Sequence, residues 1–429
     1  MTENTSQTNQ PSLHPLDLPE IHSLISSFLL GDLPTLSACV RVSKAWNASF
    51  LPPLWSHIDL SRVLPLPENL NPRRNERHPF APVLQKHAHL IRHISALFMS
   101  LDAGSLGHLP TLLDDPTLYI NLQTFRISQD YSMRLKNDIS DITIHEHYWG
   151  DLASFLRRVP SLRELVIRSM NSHVIPVAVW QTIATSLPTL RTLVFNGAHM
   201  DGEDPLRFDY FLDACSKVES LDLDFFSFWD PPAHNPRWTS TDPLFPRLVS
   251  LNFFGRRAEE LRLFERCLQT PGLRRLTWST RFPTQFTPAE KTPEVTRLIV
   301  EARLQNLEYL NLWDGLPFKD EEIARILDSL GRPLKELRVS ASEFGYLSWN
   351  ALLRGHSQME VDPTATESDS SRPDVVRLAH AATLRTLDLT LCPDVTDDML
   401  AQIKRDFPRL EQLLLREEPD YDSSEELEE

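Results

Sequence analysis

Between residues 122 and 415 the apolar positions return in one figure, L-x-x-L-x-L, ten times. The triplets are Leu122/Phe125/Ile127, Leu162/Leu165/Ile167, Leu190/Leu193/Phe195, Val218/Leu221/Leu223 and Leu248/Leu251/Phe253. They continue as Leu273/Leu276/Trp278, Leu307/Leu310/Leu312, Leu334/Leu337/Val339, Leu384/Leu387/Leu389 and Leu410/Leu413/Leu415. Their first positions are mostly 25 to 34 residues apart, and a proline often stands two before the first leucine, as at Pro160, Pro188, Pro246, Pro271 and Pro408. A weaker instance starts at Ile91/Ile94. The alternating part of each figure predicts a short strand with one buried face. Between the strands run stripes at i, i+3, i+4, i+7, such as Leu152/Phe155/Leu156/Val159, Trp180/Ile183/Ala184/Leu187, Phe208/Phe211/Leu212/Cys215 and Ile323/Ile326/Leu327/Leu330, which predict helices.

A strand, a turn and a helix repeated at this period predict an α/β fold, an irregular leucine-rich-repeat solenoid over residues 81–416. Parallel strands would line its concave face and helices its outside. No unit can bury both its strand face and its helix stripe alone, so neighbours must stack. The rival is a doubly wound parallel sheet; the repeated figure and the missing glycine-rich turn argue against it.

Ahead of the repeats, residues 14–60 have a different pattern. Ile21, Leu24, Ile25 and Phe28 form one helical face, with Asp17 as a cap and Pro19 in the first turn. Asp32 offers a second cap before the stripe Leu33, Leu36, Val40, and Ser43 can open a third helix carrying Trp46 and Phe50. A segment this short buries little core by itself. Its surplus of apolar residues predicts an interface, either with a partner or with the rest of this chain.

Leu18-Pro19-Glu20-Ile21, then Leu33, Val40-Arg41-Val42, Trp46 and Leu54-Trp55, in that order, resemble an F-box, the module that docks onto the Skp adaptor of cullin-type ubiquitin ligases. The chain lacks the residue that the family often carries between the proline and the acidic position. The resemblance implies that Leu18, Pro19, Ile21, Leu33, Val40, Val42 and Trp46 lie at or beneath an adaptor interface. Residues 384–400 resemble the cysteine-containing repeat found in many F-box proteins, with Cys392 turned inward and Thr396-Asp397 opening a helix that Asp397 would cap. The whole is similar to fungal-type F-box proteins with leucine-rich repeats.

Composition narrows the picture. Glycine is scarce, at 12 of 429 residues, and neither common phosphate-loop motif is present. A net charge of −16 disfavours a nucleic-acid grip, which needs a basic face. Cys39, Cys215, Cys267 and Cys392 lie far apart, as expected of reduced thiols in the cytoplasm or nucleus. The polar amino terminus holds no apolar signal core, and no run approaches a membrane span. Residues 1–13 read as disordered, 61–80 as a Pro/Arg-rich linker, 356–374 as a disordered insertion and 417–429 as an acidic tail carrying half of the net charge.

Catalytic chemistry finds little support. His87, His89 and His93, or His145-Glu146-His147, could be proposed for zinc, yet neither group has H-E-x-x-H or a cysteine at ligand spacing, so surface histidines are the expectation. No G-x-S-x-G is present. The expectation is therefore a non-enzyme without metal or cofactor, holding a protein substrate on residues between and just after the strand leucines: Arg126, Arg168, Asp222, Asp224, Asn252, Phe254, Asn311, Trp313, Arg338 and Asp388. The aromatic run Phe225, Phe226, Phe228, Trp229 reads as local core more readily than as an anchor loop. Two functions fit: a substrate receptor bound through a Skp adaptor to a cullin, or a repeat scaffold with no ligase.

Overall fold

The computed structural model describes residues 16, 18–60, 80–98, 115, 118–129, 142–201, 204–223, 227–229, 235–254, 258–279, 292–313, 318–353 and 380–415. The amino terminus, most of the linker, the insertion and the acidic tail named above lie outside them, as does Asp17. The chain divides into two compact units, 1–166 and 167–429.

The first unit opens with three helices, α1 (Pro19–Phe28), α2 (Leu33–Cys39) and α3 (Lys44–Ser56). Then come β1 (His57–Asp59), α4 (Ala81–His87), β2 (His93–Phe98), β3 (Thr124–Gln129) and α5 (Ile142–Leu156). β1, β2 and β3 pair in parallel, with Ile58 opposite Ile94 and Ile94 opposite Phe125. The short figure at Ile91/Ile94 is thus a full strand. β1 escapes the sequence pattern because it is three residues long and follows α3 without a break.

β4 (Glu164–Val174) begins in the first unit and ends in the second. The second continues with α6 (Val177–Ser186), β5 (Thr192–Asp201), α7 (Pro205–Cys215), β6 (Ser220–Leu223), β7 (Ser227–Trp229), α8 (Pro236–Thr239), β8 (Ser250–Phe253) and α9 (Ala258–Leu268). Next are β9 (Arg275–Ser279), α10 (Thr292–Ala302), β10 (Tyr309–Trp313), α11 (Asp320–Ser329), β11 (Glu336–Arg338) and α12 (Tyr346–Leu353). β12 (Thr386–Asp388), α13 (Asp397–Asp406) and β13 (Gln412–Leu414) close it. Strands pair in the order β5-β6-β8-β9-β10-β11-β12-β13, with β7 beside β5. The pairing is parallel throughout. The order advances without a reversal, so this sheet has no switch point of the doubly wound kind. The aromatic run after β6 contributes β7, whose Phe228 pairs with Met200.

Leu193, Leu221, Leu251, Leu276, Leu310, Leu337 and Leu387 are successive register partners, and each is at most 1% exposed. Complete burial of one such side chain contributes about 1.5–3 kcal/mol. The helix stripes meet this leucine face: Trp180 of α6 lies 4.5 Å from Phe195, and Phe264 of α9 lies 4.7 Å from Trp278. The last figure departs from the pattern, with Leu410 and Leu413 half-buried and Leu415 exposed, because no further repeat covers them among the described residues.

One backbone device recurs through the second unit at the residue after the first apolar position of a repeat. Its carbonyl accepts two N–H groups from the next repeat. Arg191 accepts from Glu219 and Ser220 (2.8 and 2.9 Å), Glu219 from Val249 and Ser250 (2.7 and 2.9 Å), and Arg274 from Glu308 and Tyr309 (2.8 and 3.0 Å). Val249, Glu308, Lys335 and Arg385 do the same. Both lone pairs of each oxygen are thereby used. The first leucine itself commonly donates three residues back, as Leu248 does to Phe245 and Leu273 to Thr270.

Leu334 is an exception. Its N–H donates to Nδ1 of His380, 3.1 Å away, while the Nε2–H of His380 donates to the Leu327 carbonyl at 3.2 Å. The buried ring thus joins the end of α11 to the start of β11 from the following repeat. Burial pushes the His380 pKa below the usual imidazole range, although the Leu327 carbonyl and Asp328 act the other way. Gly331, in the same turn, approaches the preceding repeat so closely that a Cβ would stand 2.7 Å from the Gln305 Cα.

Two expectations about the ninth repeat divide. The Cys392 thiol does turn inward, donating to the Val339 carbonyl at 3.1 Å. The cap of α13, however, is Thr396, whose hydroxyl accepts from Met399 N–H at 3.3 Å; Asp397 is the first helical residue instead.

The neutral His380 ring is the bonded form, so its contribution is complete above the unfolded pKa of about 6.5 and is lost as pH falls toward the lower folded value. His380→Leu should cost about 1–3 kcal/mol at neutral pH. Chemical denaturation at pH 7 and pH 5 should show that gap narrowing at the lower pH. Gly331→Ala should cost about 1–3 kcal/mol through overpacking against the Gln305 backbone, measured by the same titration.

Candidate functional site

The three amino-terminal helices form a small core of Leu36, Cys39 and Phe50, against which Ile25, Leu29, Val40, Trp46 and Leu54 pack. Two expected caps are present: Asp32 accepts from Thr35 N–H at 3.1 Å, and Ser43 accepts from Trp46 N–H at 3.2 Å. The Thr35 hydroxyl and N–H hold the Asp32 carboxyl below the usual carboxylate range. α1 starts at the N-cap residue Leu18, whose side chain makes no capping bond, and the expected cap Asp17 lies outside the described residues. Between α1 and α2 the chain turns at Gly31, where φ is +98°, a left-handed value that glycine adopts without strain.

α1 also faces differently from the stripe read in the sequence. Of Ile21, Leu24, Ile25 and Phe28, only Ile21 and Ile25 are half-buried, whereas Leu24 is 55% and Phe28 78% exposed. The buried side chain is His22, whose ring packs tilted against those of Trp46 (5.1 Å) and Phe50 (5.7 Å), themselves stacked on each other. The helix carries a second stripe, His22/Ile25/Leu29, at i, i+3, i+7, and that one packs inward. The apolar stripe thus divides between core and surface.

The residues implied by the F-box resemblance separate into two groups. Val40 and Trp46 pack on the core, and Ile21 and Leu33 are half-buried. Leu18, Pro19 and Val42 are exposed, Val42 at 62%. Leu16, Leu24, Phe28 and Leu30, which the sequence did not single out as surface residues, are exposed as well.

On the sheet of the second unit, register brings several proposed substrate contacts into one row. Asp222, Asn252, Thr277, Asn311, Arg338 and Asp388 are successive partners. Asn252 donates to Asp222 at 3.0 Å, and Arg338 donates to Glu336 at 2.6 Å. The Oδ1 atoms of Asn252 and Asn311 are shielded from water without a hydrogen-bond donor among the described residues. In the adjacent row the Arg275 guanidinium lies 4.0 Å from the centre of the Tyr309 ring. Arg168 is exposed on β4.

Two candidates are corrected. Phe254 is only 4% exposed: β8 ends at Phe253, so the strand alternation does not extend to it, and its large ring is withdrawn from water. Asp388 is 8% exposed and turns back to accept the Thr390 N–H at 3.0 Å. Trp313 lies at the end of β10 opposite Ser279; its side chain and Asp224 fall outside the described residues. In the first unit Arg126 forms an ion pair with Glu164 at 2.8 Å.

The described histidines near β1 and β2 stack on neighbouring rings. His93 stacks on His57 and His87 on Trp55, each with ring centres 4.2 Å apart. Burial lowers the pKa of all three histidines, helped by neighbouring cations. No cluster of three or more metal-ligand side chains occurs among the described residues, and the side chains of His145 and His147 lie outside them. Nor is any described helix long and apolar enough to cross a membrane.

No protein-family model matches the sequence, and no curated protein matches it. Among solved structures, the crystal structure of a Rad7 and Elc1 complex in yeast superposes with a TM-score of 0.40 at 13% identity, covering 95% of this chain and 96% of that one. A protein from Bacteroides fragilis superposes with a TM-score of 0.33 at 10% identity, covering 79% and 69%. Both superpositions are loose, and the architecture rests on this chain's own strand pairing.

The helical surface and core should respond oppositely to substitution. Leu24→Ser with Phe28→Ser should leave thermal stability within about 0.5 kcal/mol, as surface changes do. Leu36→Ala should cost about 2–5 kcal/mol. Calorimetric melting of the two variants beside the parent checks both.

Proposed function

We propose that this chain is the substrate-receptor subunit of a Skp-cullin-F-box ubiquitin ligase. The observation carrying this reading is the exposure of the apolar residues Leu18, Pro19, Phe28 and Val42 on helices that already have a core of their own in Leu36, Cys39 and Phe50. Apolar residues that the described chain leaves uncovered fit a partner's groove. The order of F-box-like residues names that partner as a Skp adaptor, and through it a cullin. The alternative, helices docked on their own repeats as a free-standing scaffold, would place Leu18 and Pro19 in a covered surface.

In this reading the chain catalyses nothing. Ubiquitin transfer takes place on other subunits, and the receptor raises the effective concentration of a substrate lysine near the loaded conjugating enzyme. The repeat sheet would hold the protein substrate through its polar row, with Arg168, Asp222, Asn252, Asn311 and Arg338 as contacts and neither metal nor cofactor required.

Co-purification with a Skp adaptor tests the proposal. The parent should retain the adaptor. Leu18→Ala with Pro19→Ala, and separately Phe28→Asp, should lower its affinity at least about tenfold, which corresponds to 1.4 kcal/mol, with melting temperatures unchanged. A folded parent that retains no adaptor would overturn the receptor reading in favour of a scaffold.

A further inference from the structure

His22 is unusual in its surroundings. It is 1% exposed, yet it is the one fully buried polar side chain of the described three-helix module. Burial of an imidazole is tolerable only when its nitrogens are bonded. Both are. Nδ1 lies 3.0 Å from the Ser49 hydroxyl of α3, and Nε2 bonds the Leu16 carbonyl, ahead of α1. A carbonyl can only accept, so Nε2 carries the proton and Nδ1 accepts from the Ser49 hydroxyl. The ring itself packs tilted against Trp46 and Phe50.

A leucine here would satisfy the core equally well, so packing alone does not explain the histidine. Its distinctive act is to tether a carbonyl six residues upstream. The tethered segment carries Leu16 and Leu18, 46% and 37% exposed. The N-cap residue Leu18 supplies no side-chain cap, and the His22 ring bonds this lead to the helices through the Leu16 carbonyl.

We propose that His22 is a positioning residue, which holds the Leu16–Leu18 lead on the helical core so that its leucines stand in the docking face. The part concerning the adaptor rests on the receptor reading above; the tether does not.

Limited proteolysis with chymotrypsin, which cuts after leucine, tests the tether without any partner. At a temperature where both stay folded, His22→Leu should be cleaved after Leu16 about tenfold faster than the parent, the ratio given by a loss of 1.4 kcal/mol. His22→Gln, whose amide can both donate and accept, should restore the parent rate. Should His22→Leu fail to fold, Ser49→Ala removes only the Nδ1 partner and should accelerate the same cut. Adaptor affinity should follow the same order, weaker for His22→Leu and recovered in His22→Gln. Parent-like cleavage of His22→Leu and Ser49→Ala, or no rescue by His22→Gln, overturns the proposal. If the parent itself binds no adaptor, the receptor reading fails while the cleavage rates still decide the tether.

Discussion

The doubly accepting carbonyl after the first apolar position of a repeat is the contact on which the repeats of the second unit depend. Arg191, Glu219, Val249, Arg274, Glu308, Lys335 and Arg385 form an unbroken series, each taking two N–H groups from its successor. The side chains at these positions range from arginine to valine, so the device belongs to the backbone and tolerates almost any sequence. What it demands is that the leucine before it and the leucine after it be buried, because only their anchoring brings the carbonyl to the next turn. The apolar figure and the backbone ladder are two aspects of one constraint.

That is why the fold was legible and the surface less so. Burial repeats with the period of the fold and leaves a record in every unit; the strands and the four named helix stripes follow it. Short or one-off features leave no periodic record. β1 has three residues and no leucine figure of its own. His380 replaces a local backbone acceptor from 46 residues away, which no pattern announces. Phe254 lies one residue past the end of its strand, where alternation no longer says which way a side chain faces. α1 shows another limit: two stripes on one helix satisfy the same spacing rule, and only packing against α3 decides that His22 and not Phe28 turns inward.

The site follows from how little the three helices can bury. Their core closes on a handful of side chains, with Phe50 at its centre, and the remaining apolar residues have nowhere else to go. A longer segment could fold over them, but the chain instead passes directly into the sheet. Leu24, Phe28, Leu30 and Val42 therefore stay in water at a hydrophobic penalty that association would relieve.

The join between α3 and β1 sets a geometric tolerance. No intervening loop separates them, the Ser56 carbonyl accepts the Arg92 N–H at 3.0 Å, and Trp55 stacks on His87. A flexible tether would let a molecule held by the helices sample many orientations relative to the first strands. A bracket of this kind allows few, so a length or angle error introduced at the join is not averaged away but carried to whatever is mounted there. Insertions between Ser56 and His57 would then act as changes of aim, felt even where every contact residue is intact.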